Sequence, residues 1–174
     1  MKITLNTIIA TTAFAVSLGL STPALSQDEK KTEKKEVAKK AAAKDGEKKA
    51  EPQEVTLEPI ANVMKFKQTD IKVKAGQPVK LTFNNTDVLM HNVLVLKPGT
   101  KDKVGALADA MIADPQGMTK GYIPKSDDIL AKTKLLLATQ SETIEFTLDD
   151  KGIYPFICTF PGHWRIMQGT ITAE

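Results

Sequence analysis

The chain has 174 residues, 41% of them hydrophobic, with 24 Lys plus Arg against 21 Asp plus Glu for a formal charge of +3. That balance excludes a highly charged disordered polymer and a multi-span membrane protein, and the positive excess is too small to argue for nucleic acid. There is one cysteine, which cannot form an internal disulfide, so an exported form of this chain must account for a lone thiol.

In chain order, Lys2 is followed by an apolar stretch from Ile8 to Leu20, and Ala24-Leu25-Ser26 then places small residues at alternate positions. This is the pattern of a secretory signal peptide over residues 1–26, with cleavage before Gln27. The apolar run falls short of the roughly 20 residues that cross a bilayer. No later segment is long and apolar enough either, so no membrane span is expected after cleavage, and the expected location is the periplasm or another exported compartment. Residues 27–54 hold nine Lys and eight acidic residues, with Val37 and a few Ala as their apolar content. Such a segment cannot bury a core; it reads as a solvated, partly helical tether, interrupted at Gly46 and Pro52.

From Val55 the texture becomes that of strands, and residues 55–174, about 120 in all, suffice for one core without disulfides. Ile71 and Val73, then Val79, Leu81 and Phe83, then Val93 and Val95, and later Ile144, Phe146 and Leu148 recur at spacing two. Turn residues such as Gly76, Asn84, Asn85, Pro98, Gly99, Asp150 and Gly152 stand between the runs, which predicts antiparallel strands. One stretch differs: Val104, Leu107, Ala108 and Met111 follow helical spacing after Lys101-Asp102 and stop before Pro115-Gln116-Gly117. The expected fold is all-β, a β-sandwich with a short helical insertion in one long connection.

The chemistry concentrates in Tyr154-Pro155-Phe156-Ile157-Cys158-Thr159-Phe160-Pro161-Gly162-His163-Trp164-Arg165-Ile166-Met167. Ten residues bring together the sole Cys, one of the two His and a Met, with a Pro-Gly turn between them. The other histidine, His91, opens the run His91-Asn92-Val93-Leu94-Val95-Leu96. One thiolate, two imidazoles and a thioether are the ligand set of a type 1 copper: a trigonal His, His, Cys plane with a weak axial Met. Taken singly, Cys158, His91 and Met167 fit ordinary core roles. Together they use every Cys and His in the chain, and a metal accounts for an unpaired thiol in an oxidising compartment.

On these residues the chain resembles the azurin-type cupredoxins. CTFPGHWRIM reproduces the azurin spacing of Cys, four residues, His, three residues, Met, and two further features add to the likeness: His91-Asn92 at the start of a strand, and the long segment between the ligands, including Asp127–Leu136, which resembles the azurin helical flap and its following strand. The resemblance covers roughly Val55 to Ala173. It implies an eight-stranded Greek-key sandwich, one type 1 copper ion, and the role of a diffusible single-electron carrier. It further implies His91, Cys158 and His163 as equatorial ligands and Met167 as the axial one. Met90 takes the position whose backbone carbonyl lies opposite Met167 in that family, where Gly is usual. Asn92 is expected to tie the ligand loops together through Thr159, while the backbone N–H groups of Asn92 and Phe160 point at the Cys158 sulfur. His163, framed by Phe160 and Pro161, is the expected electron port, and for Trp164 two readings stand, inward packing as core, which is preferred, and an exposed partner-docking role. The single Cys departs from the family, which carries a disulfide near its N-terminus.

Implied partners are redox proteins such as c-type cytochromes or a dehydrogenase or reductase. An enzyme with a second, catalytic copper is not expected, because both histidines are already used. The alternative is copper handling, as a chaperone or buffer; zinc could also occupy one Cys and two His, although affinity favours copper.

Overall fold

The computed structural model describes residues 51–174; the expected leader and most of the expected tether lie outside them. In chain order the described strands are β1 (Gln53–Leu57), β2 (Pro59–Ile60), β3 (Lys65–Phe66), β4 (Asp70–Val73), β5 (Pro78–Asn84), β6 (Leu94–Leu96), β7 (Ile129–Lys132), β8 (Ser141–Thr147), β9 (Gly152–Ile157) and β10 (Gln168–Ala173). A helix, α1 (Lys101–Ala110), lies between β6 and β7 and runs into a 3-10 turn at Met111–Ala113. The first strand thus begins at Gln53, two residues inside the segment expected to be tether.

One sheet has the order β1-β5-β8, and a second has the order β4-β10-β9-β6-β7. They face each other across one core. Leu57, Val79, Leu81 and Phe83 from the first sheet meet Ile71, Val73, Val95, Phe156 and Ile171 from the second. Six of these nine, all but Leu57, Phe156 and Ile171, are residues picked out by alternation, because every second side chain of a strand points to the same face. The hairpin β2–β3 adds Phe66, whose ring packs 6.0 Å from that of Phe83 and 5.2 Å from that of Phe156.

Two expectations need correction. The pattern predicts antiparallel pairing, yet β1 runs parallel to β5 and β4 runs parallel to β10. Alternation reports which face a side chain takes and carries no information on the direction of the neighbouring strand. Second, His91 does not open a ladder: it forms an isolated bridge with Leu136, and regular pairing starts at Leu94. The helical insertion itself stands at Lys101–Ala110, upstream of Asp127–Leu136, where the chain is instead extended as β7.

Strand β6 is buried on both faces. Val93 and Val95 face the sandwich, while Leu94 and Leu96 join Val104 of α1, Ile157 and Trp164 in a smaller cluster on the outer side. The helix therefore covers the back of the sheet directly behind the strand that follows His91. Contact is close because residue 105 has no side chain: a Cβ there would lie 2.4 Å from Cδ2 of Trp164. Trp164 is buried, as expected, and its indole N–H donates to Asp109 Oδ1 at 2.9 Å. Arg165 clamps the same carboxylate at 2.8 Å and lies 4.2 Å from the Trp164 ring, which fastens the helix to the loop after His163.

Candidate metal centre

The loop between β9 and β10 is wound so that its donors converge. The His163 N–H donates to Phe160 O at 2.9 Å, and the Met167 N–H donates to His163 O at 2.8 Å, a single helical turn that sets residues 163 and 167 on one side. The Cys158 N–H donates to Met167 O at 3.0 Å and closes the loop at its base. Gly162, with φ of +82°, makes the turn at a conformation that disfavours a side chain. His91 arrives from the opposite side, held by reciprocal backbone hydrogen bonds with Leu136 at 3.2 and 2.8 Å.

The result is a buried trio. One ligand atom each from His91, Cys158 and His163 lies within 4.8 Å of the others, and no other such group occurs among the described residues. Both imidazoles turn Nδ1 toward the sulfur, His91 at 3.7 Å and His163 at 3.6 Å from Sγ. Met167 is fully buried in the same cluster as Cys158. Met90 is half-buried beside His91 in sequence, and it lines a surface cavity with Met118, Gly121 and Leu137. His91 is wholly buried and His163 retains 4% of its surface, with Phe160 and Pro161 half-buried next to it. The Phe160 ring lies 4.9 Å from that of His163.

Burial pushes the Cys158 thiol up to about 12, against the opposing pull of the Asn92 and Phe160 backbone N–H groups directed at it. It likewise holds His163 down to about 4, an effect that a charged His91 would reinforce and Asp87 opposes. His91 is also lowered, by burial first, with Asp87 opposing. Both rings are therefore neutral at pH 7 with lone pairs to offer. A soft sulfur with two N–H groups already aimed at it, flanked by two neutral nitrogens and a thioether, suits a thiophilic cation that also accepts imidazole.

Asn92 links the two ligand loops. Its Oδ1 accepts the Thr159 N–H at 2.7 Å, and its Nδ2 donates to Thr159 Oγ1 at 2.8 Å. Sequence inspection missed a third tie, from Asn92 Nδ2 to Gly121 O at 2.9 Å. It also missed Asp87, a buried carboxylate 3.2 Å from His91 Nε2. The available signal was an Asp four residues before a His, which in an Asn-Asn-Thr-Asp row reads as turn chemistry.

The chain is similar to known copper proteins. The family model for copper-binding proteins of the plastocyanin/azurin family matches residues 53–174. Auracyanin-A of Chloroflexus aurantiacus is 32% identical over 111 residues, covering 63% of this chain and 67% of that protein. Azurin of Alcaligenes faecalis is 34% identical over 85 residues, covering 47% of this chain and 62% of that protein. The solved structure of auracyanin A, described as a "blue" copper protein from a green thermophilic photosynthetic bacterium, superimposes with a TM-score of 0.65 at 28% identity, over 71% of this chain and all of that one.

Proposed function

Because the chain belongs to the plastocyanin/azurin family of copper-binding proteins, we propose that it is an exported electron carrier that moves single electrons between redox proteins through one type 1 copper. The observation that carries this is the meeting of His91, Cys158 and His163 in a buried pocket. Bound copper supplies a Cu(I)/Cu(II) couple. His91, Cys158, His163 and Met167 would hold the copper through two imidazoles, a thiolate and a thioether, with the Met90 carbonyl as a further candidate donor. Soft sulfur favours Cu(I) and imidazole favours Cu(II), so a donor set held by Asn92, Thr159 and the β9–β10 turn would let a bound ion change oxidation state with little rearrangement of the protein.

Burial of every donor supports carriage over copper trafficking, which needs exchangeable ligands, and over an enzyme, which needs an open coordination position. His163 alone of the two histidines keeps a sliver of surface, which supports it as the electron port with Phe160 and Pro161 beside it. The partners are redox proteins such as c-type cytochromes or a dehydrogenase or reductase. Export rests on the leader-like residues 1–26, and no helix among the described residues is long and apolar enough to cross a membrane.

The test is metal analysis and a visible spectrum of the purified, copper-loaded protein. One copper per chain with an intense thiolate-to-copper band is expected. A colourless protein that prefers zinc overturns the assignment.

A further inference from the structure

The hydrogen bonds around Asp87 are not those of an ordinary turn carboxylate. Its side chain is fully buried, and its only ion-pair contact among the described residues is His91, so no Lys or Arg cancels its charge. Oδ1 accepts the Val88 N–H at 2.7 Å, and the Asn62 N–H reaches Oδ1 at 3.3 Å and Oδ2 at 3.2 Å. Oδ2 also stands 3.2 Å from His91 Nε2. Every one of these backbone partners is a donor, an environment that suits an ionised, acceptor-only carboxylate.

The group is also held in place from several sides. Asn62 aims its N–H from the β2–β3 turn with a left-handed φ of 61°. The Asp87 N–H donates to Asn85 Oδ1 at 3.1 Å, and Asn85 Nδ2 donates to Leu89 O at 2.8 Å and Leu136 O at 3.0 Å. The Leu136 carbonyl is the one that also accepts the His91 N–H. Carboxylate and imidazole are thus fixed to the same backbone.

Resting on the copper assignment above, we propose that Asp87 is the positioning residue of the metal centre: it fixes His91 as the tautomer with its proton on Nε2 and its Nδ1 lone pair toward Cys158, and its uncancelled negative charge favours Cu(II) over Cu(I). The chemistry follows from the geometry. A carboxylate facing Nε2 can be satisfied by a neutral imidazole only if that nitrogen bears the proton, which leaves Nδ1 free to donate. Hydrogen bonding to a carboxylate makes the ring a stronger donor. A thiolate with Cu(II) carries one more positive charge than with Cu(I), so a fixed anion one imidazole away stabilises the oxidised form more.

Copper-loaded wild type, Asp87→Asn and Asp102→Asn are to be compared by spectroelectrochemistry. Asp102 is an 85% exposed side chain on α1, and its substitution removes the same charge away from the site. Asp87→Asn is expected to keep the blue band and to weaken Cu(II) binding more than Cu(I) binding, so that the ratio of the two affinities falls by a part of the about 10- to 100-fold in metal affinity that losing such a partner costs. The potential then rises by about 59 mV for each tenfold, and Asp102→Asn leaves it near the wild-type value. In parallel, nitrogen-resolved NMR of the metal-free wild type, where no ion holds Nδ1, should find the His91 ring proton on Nε2 and slow to exchange. That measurement decides the matter if Asp87→Asn does not fold. A blue wild type whose potential is unmoved by Asp87→Asn, or a His91 ring proton on Nδ1, overturns the role of Asp87 and leaves the copper assignment standing. A wild type without the blue band overturns both.

Discussion

With its thiol pushed up to about 12, Cys158 carries its proton at neutral pH until a metal arrives, whereas both histidines, lowered by burial, carry no excess proton to lose. Copper loading at pH 7 should therefore release about one proton per site. Calorimetry in buffers of different ionisation enthalpy measures that number; a value near zero or near three contradicts a protonated thiol beside two neutral rings. The same shifts make the metal-free fold acid-sensitive. His163 titrates at about 4 when folded and near 6.5 when unfolded, so the unfolded chain binds the extra proton first. Stability of the metal-free protein should fall as pH drops from about 6.5 towards 4, by up to about 3 kcal/mol from this residue, and denaturant unfolding at stepped pH reads it. Among substitutions, Cys158→Ser should abolish the blue band, since the thiolate is the source of the chromophore. Met167→Leu should keep the band and raise the reduction potential, because a weak axial thioether only modulates Cu(II) stability. An unchanged band in Cys158→Ser would end the type 1 assignment.

At the scale of elements, α1 and the β9–β10 loop are one mechanical unit. Gly105→Ala places a Cβ 2.4 Å from the Trp164 ring, which is itself pinned by Asp109 and Arg165. Overpacking of this kind costs about 1–3 kcal/mol, visible as a lowered unfolding midpoint and altered Trp164 fluorescence. The helix was legible from Val104, Ala108 and Met111, which recur at its period and are buried, and the donors from residue types too rare to meet by accident. Strands β4, β5 and β8 were legible as alternation. The parallel pairings were not, since they depend on which distant strand becomes the neighbour. Nor was Asp87, because a carboxylate in a turn-like row gives no sign that folding will seal it against an imidazole. Leu94 and Leu96 concealed their environment too: an uninterrupted apolar run does not say that a helix covers its second face.

Across the described residues, exposed apolar side chains flank His91 and its bridge partner Leu136 in sequence. Val88 is 74% exposed and Leu89 40%, and Leu137 and Met118 are exposed alongside the half-buried Met90 in one cavity. Residues 55–174 carry a formal charge of +1, so close approach of a partner at this end would owe little to electrostatic steering. Introducing a charge by Phe160→Lys or Met90→Lys should slow electron self-exchange, since two like-charged patches must then meet, while the absorption band stays in place. Lys72→Glu, on the exposed edge near Glu174, should matter less. NMR line broadening in mixtures of the two oxidation states supplies the rates, and equal slowing by all three variants would move the port away from His163.

Strand β10 lies inside its sheet, between β4 and β9, with Ile71 registered against Ile171 and a hydrogen bond from Thr170 to Asp70 that spans 100 residues. During synthesis, then, β4 leaves the ribosome as a bare strand edge and stays one until almost all of the later strands have been translated. Cys158, His163 and Met167 emerge in the same late stretch, so neither the second sheet nor the pocket can close early. Completion of this sheet therefore waits on a strand about a hundred residues downstream, and the delay is set by the sheet order itself.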